Sequence, residues 1–563
     1  MRSFRLPLLL IVIGVAVIAF VVYQLVPRGA ATVTVPDTGG TYVEGVAGAP
    51  QYINPLLCQL HDEDRDLCSL AFVGLTRFTD TGEVVPEIAT TWSISDNGIT
   101  YTFKMRQDAK WQDGSPVTAD DVVFTAKLLQ DPAFPGRPDI GALWQSIKVL
   151  KIDPYTVQFA LSQPLAPFLD FTTIGLLPEH ILTGTKAADL TNLPFNLQPV
   201  GNGPWRVAEV NTSGNRVSSV ALEPAASYYG PKPNLSRLIF RYYPNVQAAF
   251  DAYRAGDIDG FGNLALSDVK RAESRSDLTI YSATKARYTS LFINLRKDSG
   301  AIALMDQSVR QALMLAIDRD KLVKDVLGGQ AIVADTPFIP GTWAYHSGVK
   351  HYPYDPGRAT QLLRDAGYEL ATVAPSNVSV WQKNGEPIAF TLLTQDDPTR
   401  RAVAEAIAKQ WRDLGVQVNV QPVRNLVRDF LASRQFQVAL VDSLIDGDPD
   451  PYPIWHRSQI APPGQNYTGF DNADASKWLE AARMTTDRTL RFEYYRKFQE
   501  LFADELPALP LYYPTYQYAI SSRVKQVQLP PMMYPSDRLR TIGSWYINVK
   551  RVPASEAATQ SKP

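Results

Sequence analysis

Residues 388 to 420 carry the pattern that most narrows the fold. Ile388 to Leu393 reads as a short apolar strand, Arg400 to Leu414 as a helix ended by Gly415, and Val416-Gln417-Val418-Asn419-Val420 as an alternating strand. Strand, helix and strand in this order form a βαβ unit, whose parallel strands are joined by a right-handed crossover. Other helix signals surround it. Thr118-Ala119-Asp120-Asp121 is a capping-box start to a helix through Gln130, with Val122, Val123, Ala126 and Leu129 on its buried side. Asp355-Pro356 pairs an N-cap with proline in the first turn, and Gly367 stops that helix. Val309, Leu313, Ala316 and Ile317 predict a helix from about Asp306 to Leu327, ended by Gly328-Gly329. The class is mixed α/β with several sheets.

At 563 residues the chain makes about three or four domain-sized units. Apolar residues at 45% and charged residues at 20% place it with folded proteins rather than disordered ones. Lys plus Arg number 55 against 57 Asp plus Glu, so the net charge of -2 offers no field for a phosphate backbone, and nucleic acid is not an expected partner. The 59 aromatic residues (26 Tyr, 23 Phe, 10 Trp) and 42 Pro suit both a large core and a cleft that grips varied ligands with rigid rings.

Arg2 and Arg5 precede an apolar run from Leu6 to Val26, and Arg28 follows it. At about 1.5 Å per residue this run covers the ~30 Å hydrocarbon layer. It exceeds the 7 to 15 apolar residues usual in a secretory signal, Gly29-Ala30-Ala31-Thr32 gives no clean Ala-x-Ala site, and no Cys follows to accept a lipid. The reading is an uncleaved anchor with the body of the protein outside the cytoplasm, a location that a cleaved signal would share. Residues 27 to 40 read as a tether and Pro553 to Pro563 as a disordered tail. The only cysteines, Cys58 and Cys68, enclose an acidic loop with His61. Export favours a disulfide, which by loop entropy would contribute roughly 3 kcal/mol. A metal site of both thiols, His61 and neighbouring carboxylates is the alternative, although nine intervening residues exceed the usual zinc spacings.

Several strings then follow one another in a recognisable order. They include Tyr52-Ile53-Asn54-Pro55-Leu56-Leu57, Val85-Pro86-Glu87-Ile88-Ala89, Asp96-Asn97-Gly98-Ile99-Thr100-Tyr101-Thr102-Phe103, and Trp111-Gln112-Asp113-Gly114-Ser115-Pro116-Val117-Thr118. Gly201-Asn202-Gly203-Pro204-Trp205, Ala255-Gly256-Asp257-Ile258-Asp259, Val309-Arg310-Gln311-Ala312-Leu313, Tyr354-Asp355-Pro356 and Pro507 to Tyr513 complete the set. Together they resemble the family 5 extracellular solute-binding proteins, the dipeptide and oligopeptide receptors of ABC importers. Each string also has a local reading as a turn or cap. Gly201-Asn202-Gly203-Pro204, for example, permits a backbone turn with positive φ before a strand.

The resemblance implies a two-lobed, periplasmic-binding-protein-like α/β fold of type II, in the large peptide-receptor variant with an extra subdomain, here preceded by one N-terminal transmembrane or signal helix. Mapped onto this chain, 1–40 is the signal-anchor and tether, 41–288 lobe I with the extra subdomain at about 70–190, 289–513 lobe II, 514–552 the return to lobe I, and 553–563 the tail. It implies hinge closure on an oligopeptide, a dipeptide or a related small solute, and delivery to permease subunits with their ATPases by a monomer anchored through residues 6–26. The ligand segment would be Asp442 to His456, at the carboxyl end of the strand Phe436–Val441, where α/β sheets commonly bind ligands. In the peptide receptors that this segment resembles, an Asp pairs with the ligand's α-ammonium. Asp446 is the nearest match, although the spacing to the next Pro is one residue short, and Asp448 is the fallback. Both acids also read as turn caps beside Pro449 and Pro451, and Tyr452 and Trp455 read as pocket walls or core anchors.

Binding of a sugar or metal chelate, sensing without transport, and an exported hydrolase are the alternatives. The five histidines, His61, His180, His346, His351 and His456, form no His-Glu-x-x-His, and no Gly-x-Ser-x-Gly elbow is present, so neither a catalytic residue nor a cofactor is expected.

Overall fold

The computed structural model describes residues 32–373, 378–445 and 447–553. The Leu6–Val26 run, the tail beyond Pro553 and Asp446 lie outside the described residues. Among those described, no helix is long and apolar enough to cross a membrane.

The fold is mixed α/β and two-lobed, and one strand runs through both lobes. Ala508–Ser521, 14 residues long, pairs through residues 508–512 with Arg287–Ile293 and through residues 515–521 with Leu278–Thr284. These two partners are themselves consecutive, separated only by Lys285 and Ala286, so the chain crosses between the lobes twice at one place. Around this strand the sheet runs Gln417–Val423, Ala389–Gln395, Val438–Leu444, Arg287–Ile293, Ala508–Ser521, Gly260–Gly262, Thr41–Ala47, Arg237–Tyr243, Arg216–Pro224 and Trp205–Ser213.

The hydrophobic cores divide in the same way. The first lobe's largest core takes its side chains from Tyr42 to Ala283 and again from Tyr516 to Trp545, while the second lobe packs side chains from Leu291 to Tyr512. Inside the first, an antiparallel sheet of Ala89–Ile94, Thr100–Met105, Thr156–Ala160 and Lys148–Asp153 packs with the helix Ala119–Gln130. The βαβ unit is present as Ala389–Gln395, Pro398–Leu414 and Gln417–Val423, its strands parallel and hydrogen-bonded directly to one another. Its helix starts on Asp397, whose carboxylate accepts from the Arg400 N–H at 3.0 Å, and buries Val403, Ala404, Ile407, Ala408 and Trp411. The capping box at Thr118 also forms: Thr118 Oγ1 accepts from the Asp120 N–H, and the Asp121 carboxylate accepts from the Thr118 N–H at 2.8 Å.

Three expectations change. The helix expected over 306–327 is broken: Gln307–Leu315 ends, Asp318 caps a new turn by accepting from the Lys321 N–H at 2.9 Å, and Leu322–Val326 is wound more widely. The new turn places Arg319 in the core, where it meets the Ala334 and Tyr352 carbonyls and the Asp335 carboxylate. Gly201 and Gly203 do not have positive φ. They are there for space, since a Cβ at Gly201 would sit 2.0 Å from the Ala71 carbonyl oxygen and one at Gly203 2.7 Å from that of Leu70. The expected tether is structured in part: Thr32–Pro36 pairs antiparallel with Val549–Pro553, Thr32 opposite Pro553 and Pro36 opposite Val549.

The returning segment is fixed to the first lobe by a buried charge cluster. Arg538 donates to Glu44 at 2.9 Å and to both oxygens of Asp66 at 2.7 and 2.6 Å, all three side chains being under 5% exposed. Tyr518 adds its hydroxyl to Glu44. Cys58 and Cys68 stand nearby as buried thiols close enough to interact, and burial and its neighbour raise the Cys68 thiol above its usual range.

Candidate functional site

The strand Val438–Leu444 carries the chain to the junction of the lobes, where the Ile445 N–H donates to the Ala286 carbonyl at 2.8 Å. The next residues line a narrow cavity at this junction. Ile445, Gly447 and Pro449 form one wall with Ile339, Thr342 and Trp343 of the same lobe. The opposite wall comes from the first lobe, as Asp80, Thr81 and Gly82 of one turn and Pro531, Met533 and Arg540 of the returning segment, with Ala286 at the crossing between them. Apolar side chains predominate, which suits the part of a small ligand that must leave water.

The lobes touch around this cavity. Arg488 and Glu83 form an ion pair at 2.9 Å, and the Ala166 N–H donates to the Arg483 carbonyl at 2.8 Å. Gly447, at φ +68°, faces Asp170 so closely that a Cβ there would lie 2.9 Å from a carboxylate oxygen. Only a residue without a side chain fits both the backbone angle and the approach.

The structure separates the residues that sequence grouped at this site. Asp446 is outside the described residues. Asp448 gives both carboxylate oxygens to Arg491, at 2.7 and 2.6 Å, with each side chain only 8% exposed. Arg491 also donates to Tyr495 and lies 5.0 Å from the centre of the Trp343 ring. Asp450 is paired similarly, to Arg483 at 2.8 Å, and its buried carboxyl is raised above the usual range by desolvation, against the pull of Arg483. Asp442 accepts from Thr289 at 2.7 Å and from Arg400. Tyr452 stacks on His456 with ring centres 4.0 Å apart and has Arg483 over its other side at 4.2 Å. Trp455 is a core residue and not a pocket wall: it is fully buried, donates to the Tyr288 hydroxyl at 3.3 Å and packs edge-on against Phe502 at 4.8 Å.

Other residues line the cavity instead. Asp80, Trp343, Met533 and Arg540 come from segments hundreds of residues apart, so sequence alone did not unite them. The local sign was the turn sequence Thr79-Asp80-Thr81-Gly82, which forms with Gly82 at φ +77°. Among the described residues, no group of three or more His, Cys, Asp or Glu is placed to hold a metal ion.

Two lobes, a double crossing and a cavity between them are the architecture of a ligand-clasping receptor. The model of the bacterial extracellular solute-binding proteins, family 5 (middle), matches residues 83–463, more than half of the chain. The chain belongs to family 5 of these proteins. As a family 5 protein it is 29% identical over 524 residues to the oligopeptide-binding protein AppA of Bacillus subtilis, covering 91% of this chain and 92% of that one. It is 27% identical over 478 residues to the dipeptide-binding protein of Escherichia coli, covering 80% and 85%. Among solved structures it is similar to Bacillus subtilis AppA in complex with a nonapeptide, with TM-score 0.65 and 28% identity over 91% of this chain and 100% of that chain. It is also similar to NikZ from Campylobacter jejuni in complex with Ni(L-His), with TM-score 0.66 and 26% identity over 90% and 99%.

Proposed function

We propose that this family 5 protein is the extracytoplasmic receptor of an ABC importer and that its ligand is a short peptide, held in the cavity between the lobes. The observation that carries this reading is the cavity itself, which draws on both lobes and on the crossing at Ala286. A ligand touching both walls favours the closed arrangement, since it gains contacts there that an open one lacks. The similarity to a receptor solved with a nonapeptide supports a peptide as that ligand.

The reading extends to the chain's organisation. Lobe I is 41–288 with 514–552 and the extra subdomain at about 70–190, and lobe II is 289–513. The chain works as a monomer without catalysis, stays at the membrane through residues 6–26, and forms Cys58–Cys68 once exported.

Mass spectrometry of small molecules released from the purified full chain tests the ligand, together with thermal shifts against pools of di-, tri- and nonapeptides. Peptides in the released fraction and a raised melting temperature are expected. Neither peptide release nor any peptide-induced shift, with shifts from oligosaccharides or nickel chelates instead, would overturn the peptide reading.

A further inference from the structure

Around the cavity most acids of the described residues are already engaged. Asp448 is paired with Arg491, Asp450 with Arg483, Asp442 with Arg400, Glu83 with Arg488 and Asp537 with Arg540. Asp80 differs. It lines the cavity, is exposed, and among the described residues has neither an ion pair nor a side-chain hydrogen bond. Its turn is nevertheless held firmly. The Thr79 N–H donates to the Glu83 carbonyl at 2.7 Å, and the Gly82 N–H donates back to the Thr79 carbonyl at 3.0 Å. That same carbonyl accepts from Arg540 Nη1 at 2.9 Å, while Glu83 is tied across the cleft to Arg488. A carboxylate fixed at its backbone and left without a cation is preorganised for a cation that arrives with the ligand. Arg540 does not fill this role, because its other Nη is committed to Asp537 at 2.6 Å.

Beside Asp80 the lining is apolar, through Ile339, Trp343, Ile445, Pro531 and Met533. We propose that Asp80 receives a cationic nitrogen of the ligand while this apolar wall takes an adjoining hydrocarbon or aromatic group. This deepens the peptide reading and rests on it, naming the ligand class as peptides that place an ammonium or guanidinium next to an apolar side chain. The contact is supplied by the first lobe, so it engages the ligand before the second lobe closes.

Calorimetric titration of the full chain with Leu-Phe-Ala, acetyl-Leu-Phe-Ala and acetyl-Lys-Phe-Ala, extended to nonapeptides of the same three kinds, tests this. A charge-assisted contact at an exposed rim, after screening, is worth about a fivefold change in Kd. Asp80→Asn is therefore expected to weaken the free-amine peptides, the acetyl-Lys peptides or both about fivefold and to leave the acetylated Leu peptides unchanged. Asp80→Lys should weaken them further, with unchanged thermal unfolding in both variants. Loss confined to the free-amine set identifies the α-ammonium as the source, and loss confined to the acetyl-Lys set identifies the side chain. Met533→Ala should weaken Leu-Phe-Ala more than Leu-Ala-Ala. Equal effects of Asp80→Asn on charged and uncharged peptides, or no effect on any, would overturn the assignment. A parent protein that binds no peptide of the series would overturn the peptide reading itself and the assignment with it.

Discussion

Asp448 offers the sharpest test of the site, because sequence and structure give it different partners. If Asp448 is the mate of Arg491, Asp448→Ala leaves a guanidinium buried with, among the described residues, only the Tyr495 hydroxyl at 2.9 Å as a side-chain partner, since Arg491 Nε already lacks a hydrogen bond there. Both side chains are 8% exposed, so solvent screens little of the lost attraction. Removing one member of such a buried pair costs about 3–5 kcal/mol, mostly for the charge left behind. Urea unfolding followed by tryptophan fluorescence should place the second lobe's transition lower by about that amount, with Trp343 lying against the affected arginine. The double variant Asp448→Leu/Arg491→Met should recover most of the loss, since replacing both partners by apolar groups is often nearly neutral. A single variant as stable as the parent, or a double variant no better than the single, would refute the pairing. Parent-like stability with lost peptide binding would instead return Asp448 to the ligand.

Four further outcomes are expected. Trp455→Ala should destabilise by about 3–5 kcal/mol in the same urea assay, as for other fully buried large aromatics, with peptide affinity of the folded fraction unchanged. Glu83→Gln should weaken ligand binding about two- to threefold by loosening the cross-lobe contact with Arg488, an effect that fades as salt is raised, because both side chains are about 40% exposed. Burial raises the Asp64 carboxyl from its ordinary 3.8 to about 6, against two backbone N–H donors, and leaves one oxygen without a partner. The folded chain therefore holds a proton that the unfolded chain releases, so its contribution is fully present below about pH 4 and is lost as pH rises through about 6. The change is about 3 kcal/mol, and Asp64→Asn should flatten that part of a stability–pH curve. Gly203→Ala should lower stability by more than 1 kcal/mol, because its Cβ meets the main chain at Leu70 and Ala71, which cannot rotate away.

Local signals were legible where the partners are local. Thr118 and Asp121 are three residues apart, and Asp397 caps its own helix, so the sequence carries both halves of each interaction. The βαβ unit follows for the same reason. At the site the partners are distant. Nothing near Asp448 announces that Arg491 will neutralise it, so an acid beside prolines resembled a free ligand contact. Trp455 likewise could be placed only once Phe292 and Phe502 were known to surround it. Gly201 and Gly203 were read as turn formers because a sequence displays conformational freedom more readily than the crowding that Ala71 imposes. The interrupted helix at Asp318 also depended on a remote group, since the Gln410 side chain accepts from its N–H.

The pairing of Thr32–Pro36 with Val549–Pro553, supported by Lys550 on Asp37 at 3.2 Å, makes the two ends of the chain a single handle. Trimming after Asn548 would strip the first strand of its only partner among the described residues, so a change at the carboxyl-terminal side is felt at the amino-terminal side. A reporter fused after Pro553 would therefore sit beside Thr32, at the other edge of the same two-stranded sheet.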